Sequence, residues 1–231
     1  MRNTVLVVGA SSKIGRACVK RFLEAGYGVL GTYNNNKPDT QHERYTDFKW
    51  DCGLANAGAR LAEEAGSVDS IVYCAGLETS DLAVVDFPYS AYTMMQVSAL
   101  TFFELVKATA QQENSGLRTA SIALDVFDLK GHRSAGRAIY KASKACARSL
   151  MISLAVALAP NVRVNGVEIG ACDDRLPPGD YMTVYGEYIH RCPMRRMGLV
   201  EEAADAFFAL TETLTYSTGS VITVDGGRSL R

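Results

Sequence analysis

The stretch "TVLVVGASSKIGRACVKRF", residues 4–22, decides how the fold is read. Its first five residues form an apolar run rich in valine, which suits a strand buried on both faces. Gly9 follows, then three small residues. Beyond them Ile14, Ala17, Cys18 and Phe22 recur at helical spacing, with Gly26 as the stop. Gly9 permits a tight turn between strand and helix. Ala10, Ser11 and Ser12 let the backbone approach a phosphate, and Gly15 lets the helix begin close to the sheet. The open N–H groups and dipole of such a helix favour a pyrophosphate. Small residues also serve plain strand–helix packing, so this stretch alone does not decide function. It departs from a strict glycine triplet, because Lys13 holds the middle place. A lysine there adds positive charge near the phosphates at some cost in backbone freedom.

The pattern then repeats along the chain. "GVLGTY" (28–33), "SIVYCAG" (70–76), "TASIAL" (119–124), "VRVNGVEIG" (162–170) and "GSVITVDGG" (219–227) read as strands. Helical patterns lie between them at 54–66, 90–112 and 138–159. Such alternation predicts a parallel sheet covered on both faces, and right-handed crossovers make it doubly wound. No linker, repeat or low-complexity segment interrupts it. "NNNKPD" (34–39) is a polar turn, and the irregular piece 171–195 reads as a lid or binding loop.

Composition narrows the function classes. The chain has 231 residues, 48% of them hydrophobic, and a net charge of −1. There is no basic surplus for nucleic acid or an anionic membrane. No 18-residue apolar run and no secretory start are present, so a cytoplasmic protein is expected. The six cysteines lie 20 or more residues apart and the three histidines are scattered, which gives no metal-ligand pattern.

The end of the second strand bears on the cofactor. A carboxylate there would hold the ribose 2′-OH of NAD and repel a 2′-phosphate. The residues present are Thr32, Tyr33 and Asn34, then Asn35 and Asn36. With Ser12, Lys13 and Lys37 nearby, the pattern favours NADP(H) over NAD(H). The asparagines also suit ordinary turn chemistry.

Taken together, these signals resemble the short-chain dehydrogenase/reductase family over essentially the whole chain. "VGASSKIG" (8–15) resembles its TGxxxGxG, and "WDCG" (50–53) its DxxD stretch. "YCAG" (73–76) stands at its NNAG, "YKASK" (140–144) at its YxxxK, and "VRVNGVEIG" at its RVNxVxPG. "PMRRMGLVEEAADAFFAL" (193–210) and "TGSVITVDGG" (218–227) match its last helix and strand. The resemblance implies one Rossmann-type α/β domain over 1–231, a doubly wound parallel sheet with a substrate loop at about 171–195. It also implies a site. Gly9, Ser11, Ser12, Lys13, Ile14 and Gly15 would meet the phosphates, with Tyr33 and Asn34 at the ribose. Asp51 and the backbone of Cys52 would meet the adenine. Ala75, Gly76, Gly170 and Cys172 would complete the cofactor contacts.

The implied chemistry is hydride transfer between a nicotinamide and a carbonyl or alcohol of a small molecule, with Tyr140 as general acid or base. A free tyrosine titrates near about 10, too high for that work at neutral pH. Lys144 and the oxidised nicotinamide would stabilise the phenolate, and Lys144 would also bond the nicotinamide ribose. Family members are usually dimers or tetramers, so a homodimer or homotetramer is expected through helices 92–112 and 138–159 and the last strand. A small-residue face at Ala138, Ala142, Ala145 and Ser149 is consistent with that packing.

Four positions depart from the family pattern. The family places a serine 13 residues before its tyrosine; here that residue is Phe127. Aligned by the strand, Leu124 takes the serine's place, with Asp125 the nearest polar side chain and Ser134 returning toward the tyrosine. Ser98 stands where an asparagine helps to hold a relay water. Tyr73-Cys74 replaces Asn-Asn, and Ile169 replaces the proline. Losing one preorganised donor costs roughly 10²–10³ in rate. Three readings follow: a reductase of a ketone or acyl-type substrate with an altered carbonyl clamp, a weakly active subunit paired with an active relative, or an enzyme running a non-redox cyclisation or dehydration. Tyr181, Met182, Tyr185 and Tyr188 are candidates for an aromatic pocket wall or for plain core packing.

Overall fold

Buried β-branched runs separated by helices have one economical solution, a parallel sheet sandwiched between two helical layers. The computed structural model describes residues 3–77, 91–125, 138–173 and 186–230. Its strands β1 (Thr4–Val8), β2 (Gly28–Tyr33), β3 (Tyr45–Lys49), β4 (Ser70–Tyr73), β5 (Thr119–Asp125), β6 (Arg163–Ile169) and β9 (Val221–Val224) form one seven-stranded sheet. The order is β3-β2-β1-β4-β5-β6-β9, and every pairing is parallel. The order reverses between β1 and β4. A crevice therefore opens beyond the carboxyl ends of those two strands, where doubly wound folds bind ligands.

Each face of the sheet buries its own core. On one side, helices α2 (Ala57–Ala65), α4 (Thr101–Ala110) and α5 (Ala138–Leu158) bring Leu61, Phe102, Leu105 and Met151 against Leu6, Ile71 and Ile122. On the other, α1 (Lys13–Glu24) and α7 (Val200–Phe208) bring Phe22, Ala203 and Phe207 against Val5, Val7 and Val167. Successive residues of β1 thus serve opposite cores, the period-2 pattern of a strand buried on both faces. Asn165 of β6 fastens the far side: its Nδ2 donates to the Ser217 carbonyl at 2.9 Å and its Oδ1 accepts from the Ser220 N–H at 3.1 Å. Glu168, three residues further along β6, is buried. It binds Arg148 of α5 and accepts from Thr223 Oγ1 of β9 at 3.0 Å, so the acid is paired on both sides.

The structure corrects the sequence reading in several places. β3 was not expected. Its residues alternate only weakly, it lies at the sheet edge, and Asp47 and Lys49 disguise it. β4 and β9 are shorter than the runs 70–76 and 219–227. The helical pattern 90–112 is three pieces: α3 (Ala91–Met95), a π turn (Gln96–Leu100) and α4. Two more strands, β7 (Cys172–Asp173) and β8 (Gly198–Leu199), pair with each other between β6 and β9 of the chain, and α6 (Gly186–Arg191) lies between them in sequence. No helix among the described residues is long and apolar enough to cross a membrane.

Candidate active site

The turn after β1 is built around two glycines. Gly9 has φ +82°, a left-handed conformation that favours glycine. A Cβ on it would also sit 2.8 Å from the Ala75 nitrogen, so the turns after β1 and β4 touch directly at the strand-order reversal. Gly15 packs so closely that a Cβ would overlap the Gly9 carbonyl oxygen. Ser12 caps α1: its Oγ accepts from the Gly15 N–H at 3.0 Å and donates to the Gly9 carbonyl at 2.9 Å. The N–H groups of Lys13 and Ile14 come too early in the helix to reach an intrahelical acceptor. Thr32 holds the turn to β2, accepting from the Gly9 N–H through its Oγ1 and from the Ala10 N–H through its carbonyl. This is a cradle in which a dinucleotide pyrophosphate fits: closely packed backbone, no acid in the first helical turn, and a helix dipole facing out.

The charges around the cradle are arranged differently from the sequence expectation. Lys13 reaches Asp173 of β7 at 2.8 Å, and Lys37 reaches Asp47 at 3.5 Å. Both lysines near the cofactor end are thus engaged by acids. Sequence reasoning overlooked Arg16. Its guanidinium turns back to donate to the Ser11 carbonyl at 2.8 Å. Arg16 also lines an open cleft of about 500 Å³ together with Lys20, His42, Arg44 and Glu24. The signal was present in the sequence, one residue past Gly15, but helical pattern alone does not say that the side chain folds back over the turn.

Where the resemblance places the adenine, Asp51 is exposed and its Oδ1 accepts from the Gly53 N–H at 2.8 Å. Cys52 is buried, and its carbonyl accepts from Thr101 Oγ1 at 2.8 Å. Burial pushes the Cys52 thiol up to about 12, so it remains protonated.

Tyr140 and Lys144 occupy successive turns on one side of α5. Lys144 is buried; its Nζ donates to the Ala123 carbonyl of β5 at 3.1 Å and lies 5.7 Å from the Tyr140 ring centroid. A Cβ on Gly76 would come within 3.8 Å of that ammonium. The turn after β4, the end of β5 and the start of α5 therefore meet around one cation. Ser143 Oγ donates to the Tyr140 carbonyl at 2.7 Å.

Ser98 sits in the π turn, fully buried, with its hydroxyl directed at the Met94 sulfur 3.7 Å away. Tyr73 is also fully buried. Its hydroxyl donates to the Val97 carbonyl of the same π turn at 2.6 Å, and burial raises it far above the ordinary tyrosine range. Tyr73 is therefore a tether from β4 to the π turn, not a proton donor. The departure at position 73 has a packing explanation.

Leu124 is 5% exposed and belongs to the core beneath α5, pairing in register with Glu168. The side chain of Asp125 lies outside the described residues, as do Phe127, Ser134 and the rest of 126–137. Tyr181, Met182 and Tyr185 lie outside them too. Tyr188 is described: its hydroxyl accepts from the Ala171 N–H at 2.9 Å, and a Cβ on Gly170 would overlap it. Cys172 is half-buried, with its thiol raised to about 11 by burial. The cysteines are all free, and no cluster of metal-ligating side chains occurs among the described residues.

Comparison with known proteins gives a consistent result. Residues 9–229 match a family model described as enoyl-(acyl carrier protein) reductase. A 3-oxoacyl-(acyl-carrier-protein) reductase of Buchnera aphidicola subsp. Acyrthosiphon pisum is 25% identical, covering 98% of this chain and 97% of its own. A putative ketoacyl reductase of the granaticin polyketide synthase of Streptomyces violaceoruber is 29% identical, covering 97% and 95%. The crystal structure of a putative betaketoacyl-ACP reductase superposes with a TM-score of 0.84 at 25% identity, covering 99% of this chain and 98% of that one.

Proposed function

The chain belongs to the short-chain dehydrogenase/reductase family, and from that premise we propose that it is an NADP(H)-dependent reductase of a ketone or acyl-type carbonyl. One observation carries this reading: the buried Lys144 ammonium lies beside Tyr140, beside the Gly76 turn, and under the end of β5. Outside a proton-handling site, burying an ammonium beside a phenol has little to recommend it. The nicotinamide, when bound, supplies or accepts the hydride. The chain does the rest. The cradle at Gly9–Gly15 holds the pyrophosphate. Tyr140 gives its proton to the carbonyl oxygen, or removes one in the reverse direction. Lys144 stabilises the resulting phenolate and positions the nicotinamide ribose. Because the Ser98 hydroxyl is directed at Met94, the role of this position narrows to the backbone of the π turn.

The preference for NADP(H) rests on charge. No acid stands at Tyr33–Asn36, and Arg16 lies over Ser11 at the edge of the turn. In this reading Arg16 supplies the cation for a 2′-phosphate. Arg16→Gln is expected to weaken NADPH binding about tenfold and leave NADH binding unchanged. Equilibrium titration of nucleotide fluorescence measures both. Equal losses for the two cofactors would contradict this assignment.

A second reading is favoured by Leu124 alone. An apolar, buried side chain where the family places a hydroxyl suits a weak catalyst that pairs with an active relative. Tight NADPH binding without turnover across a broad panel of ketones and acyl thioesters would select it over the first.

A further inference from the structure

Lys13 and Asp173 are 160 residues apart in sequence yet 2.8 Å apart in space. Their pairing joins the two banks of the crevice. Lys13 opens α1 at the end of β1, while Asp173 lies on β7, just past the end of β6. In the sheet, β4 and β5 stand between β1 and β6. The ion pair therefore links the turn after β1 to the chain leaving β6, across the carboxyl edge of the sheet. A dinucleotide reaching from Tyr33 to Tyr140 must cross the same ground.

The pair is too exposed to be explained by stability. The Lys13 side chain is 51% exposed and that of Asp173 25%, and ion pairs of this kind add little to a fold. A carboxylate beside a cradle for a doubly charged anion is, besides, an obstacle to that anion unless it does something else. Asp173 is tied into local structure through the β7–β8 pairing, Cys172 with Gly198 and Asp173 with Leu199, so it does not simply swing away. Lys13 is the long, flexible member and is the one able to change partner.

We propose that Lys13 and Asp173 form an exchange pair: the cofactor's pyrophosphate takes Lys13 from Asp173, and Asp173 acts as a built-in competitor that limits cofactor affinity and speeds its release. This rests on the reading that the Gly9–Gly15 turn holds the pyrophosphate, but not on the choice between NADP and NAD. The competition acts on the part of the molecule that both share. It gives Lys13, in the place of the middle glycine, a use that a glycine lacks.

The test is equilibrium binding of NADPH, NADH and ADP-ribose to the full chain, with stopped-flow displacement for release. Asp173→Asn is expected to tighten all three about fivefold and slow their release by the same factor. Lys13→Met is expected to weaken all three about tenfold. Adding Asp173→Asn to Lys13→Met should bring no further gain, because the competition for Lys13 is already gone. A wild-type chain that binds none of the three overturns the reading of the turn itself. The exchange alone is overturned if Asp173→Asn weakens binding or leaves it unchanged. It is also overturned if the gain persists without Lys13, since Asp173 would then act by repulsion only.

Discussion

Tyr140→Phe is expected to lower carbonyl reduction by roughly 10³-fold while leaving the affinity for NADPH within about twofold of wild type. The substitution removes one oxygen and keeps the ring. The ring lies 5.7 Å from the Lys144 ammonium, and Lys144 keeps its separate bond to the Ala123 carbonyl. The cation therefore stays in place in the variant, and so does the cradle proposed to hold the nucleotide. What disappears is the proton. The hydroxyls at the two nearby departures from the family pattern are spent elsewhere: Tyr73 is buried and bonded to Val97, and Ser98 is buried against Met94. The loss should fall on kcat and not on KM, as for an interaction made only in the transition state. Steady-state oxidation of NADPH, read beside a binding titration, separates the two. A Tyr140→Phe enzyme with full activity would remove the proposed mechanism.

Much of the candidate site's geometry was legible in the sequence because its parts are local. Gly9, Ser12 and Gly15 act within one turn, and Tyr140 and Lys144 within one helix, so spacing alone brings them together. The alternation of buried runs and helices also announced the parallel sheet. What stayed hidden depends on distant partners or on departures smaller than the period being read. β3 lies at the sheet edge and buries neither face cleanly, so its residues carry a weak period-2 signal. The π turn at Gln96–Leu100 shifts the helix by one residue without altering its apolar spacing. Tyr73 read as a departure from the family pattern, yet its hydroxyl is spent on that π turn. Lys13 and Lys37 read as phosphate ligands because their acids, Asp173 and Asp47, are not neighbours in sequence. Arg16 was passed over for the converse reason: a backward-folded side chain leaves no trace in a helical pattern.

Gly15→Ala tests the cradle by sterics alone. Its backbone is not left-handed, so an alanine there has no dihedral strain to bear. The obstacle is space. The new Cβ would overlap the Gly9 carbonyl oxygen and lie 2.9 Å from both the Gly9 carbonyl carbon and Ser12 Oγ. Gly9 cannot yield, because it is held against Ala75 and bonded to Thr32. Ser12 cannot yield without giving up the cap on α1. The helix start must therefore move away from the turn. Overpacking of this kind costs about 2–3 kcal/mol, or roughly 5–10 °C in Tm for a chain of this size. The larger effect falls on binding. The first-turn N–H groups and the cap share one rigid unit, and displacing such groups by about 1 Å is worth on the order of 10². NADPH affinity is expected to fall by about a hundredfold on that basis. Gly26→Ala provides the contrast. Gly26 has φ +91° but nothing within 4 Å of a Cβ, at the opposite end of the same helix. It should lose about 1 kcal/mol of stability through backbone strain and bind NADPH normally. If thermal unfolding and nucleotide titration show the two variants losing affinity alike, α1 acts through its general stability. The close packing of Gly15 on Gly9 would then not be what shapes the phosphate site.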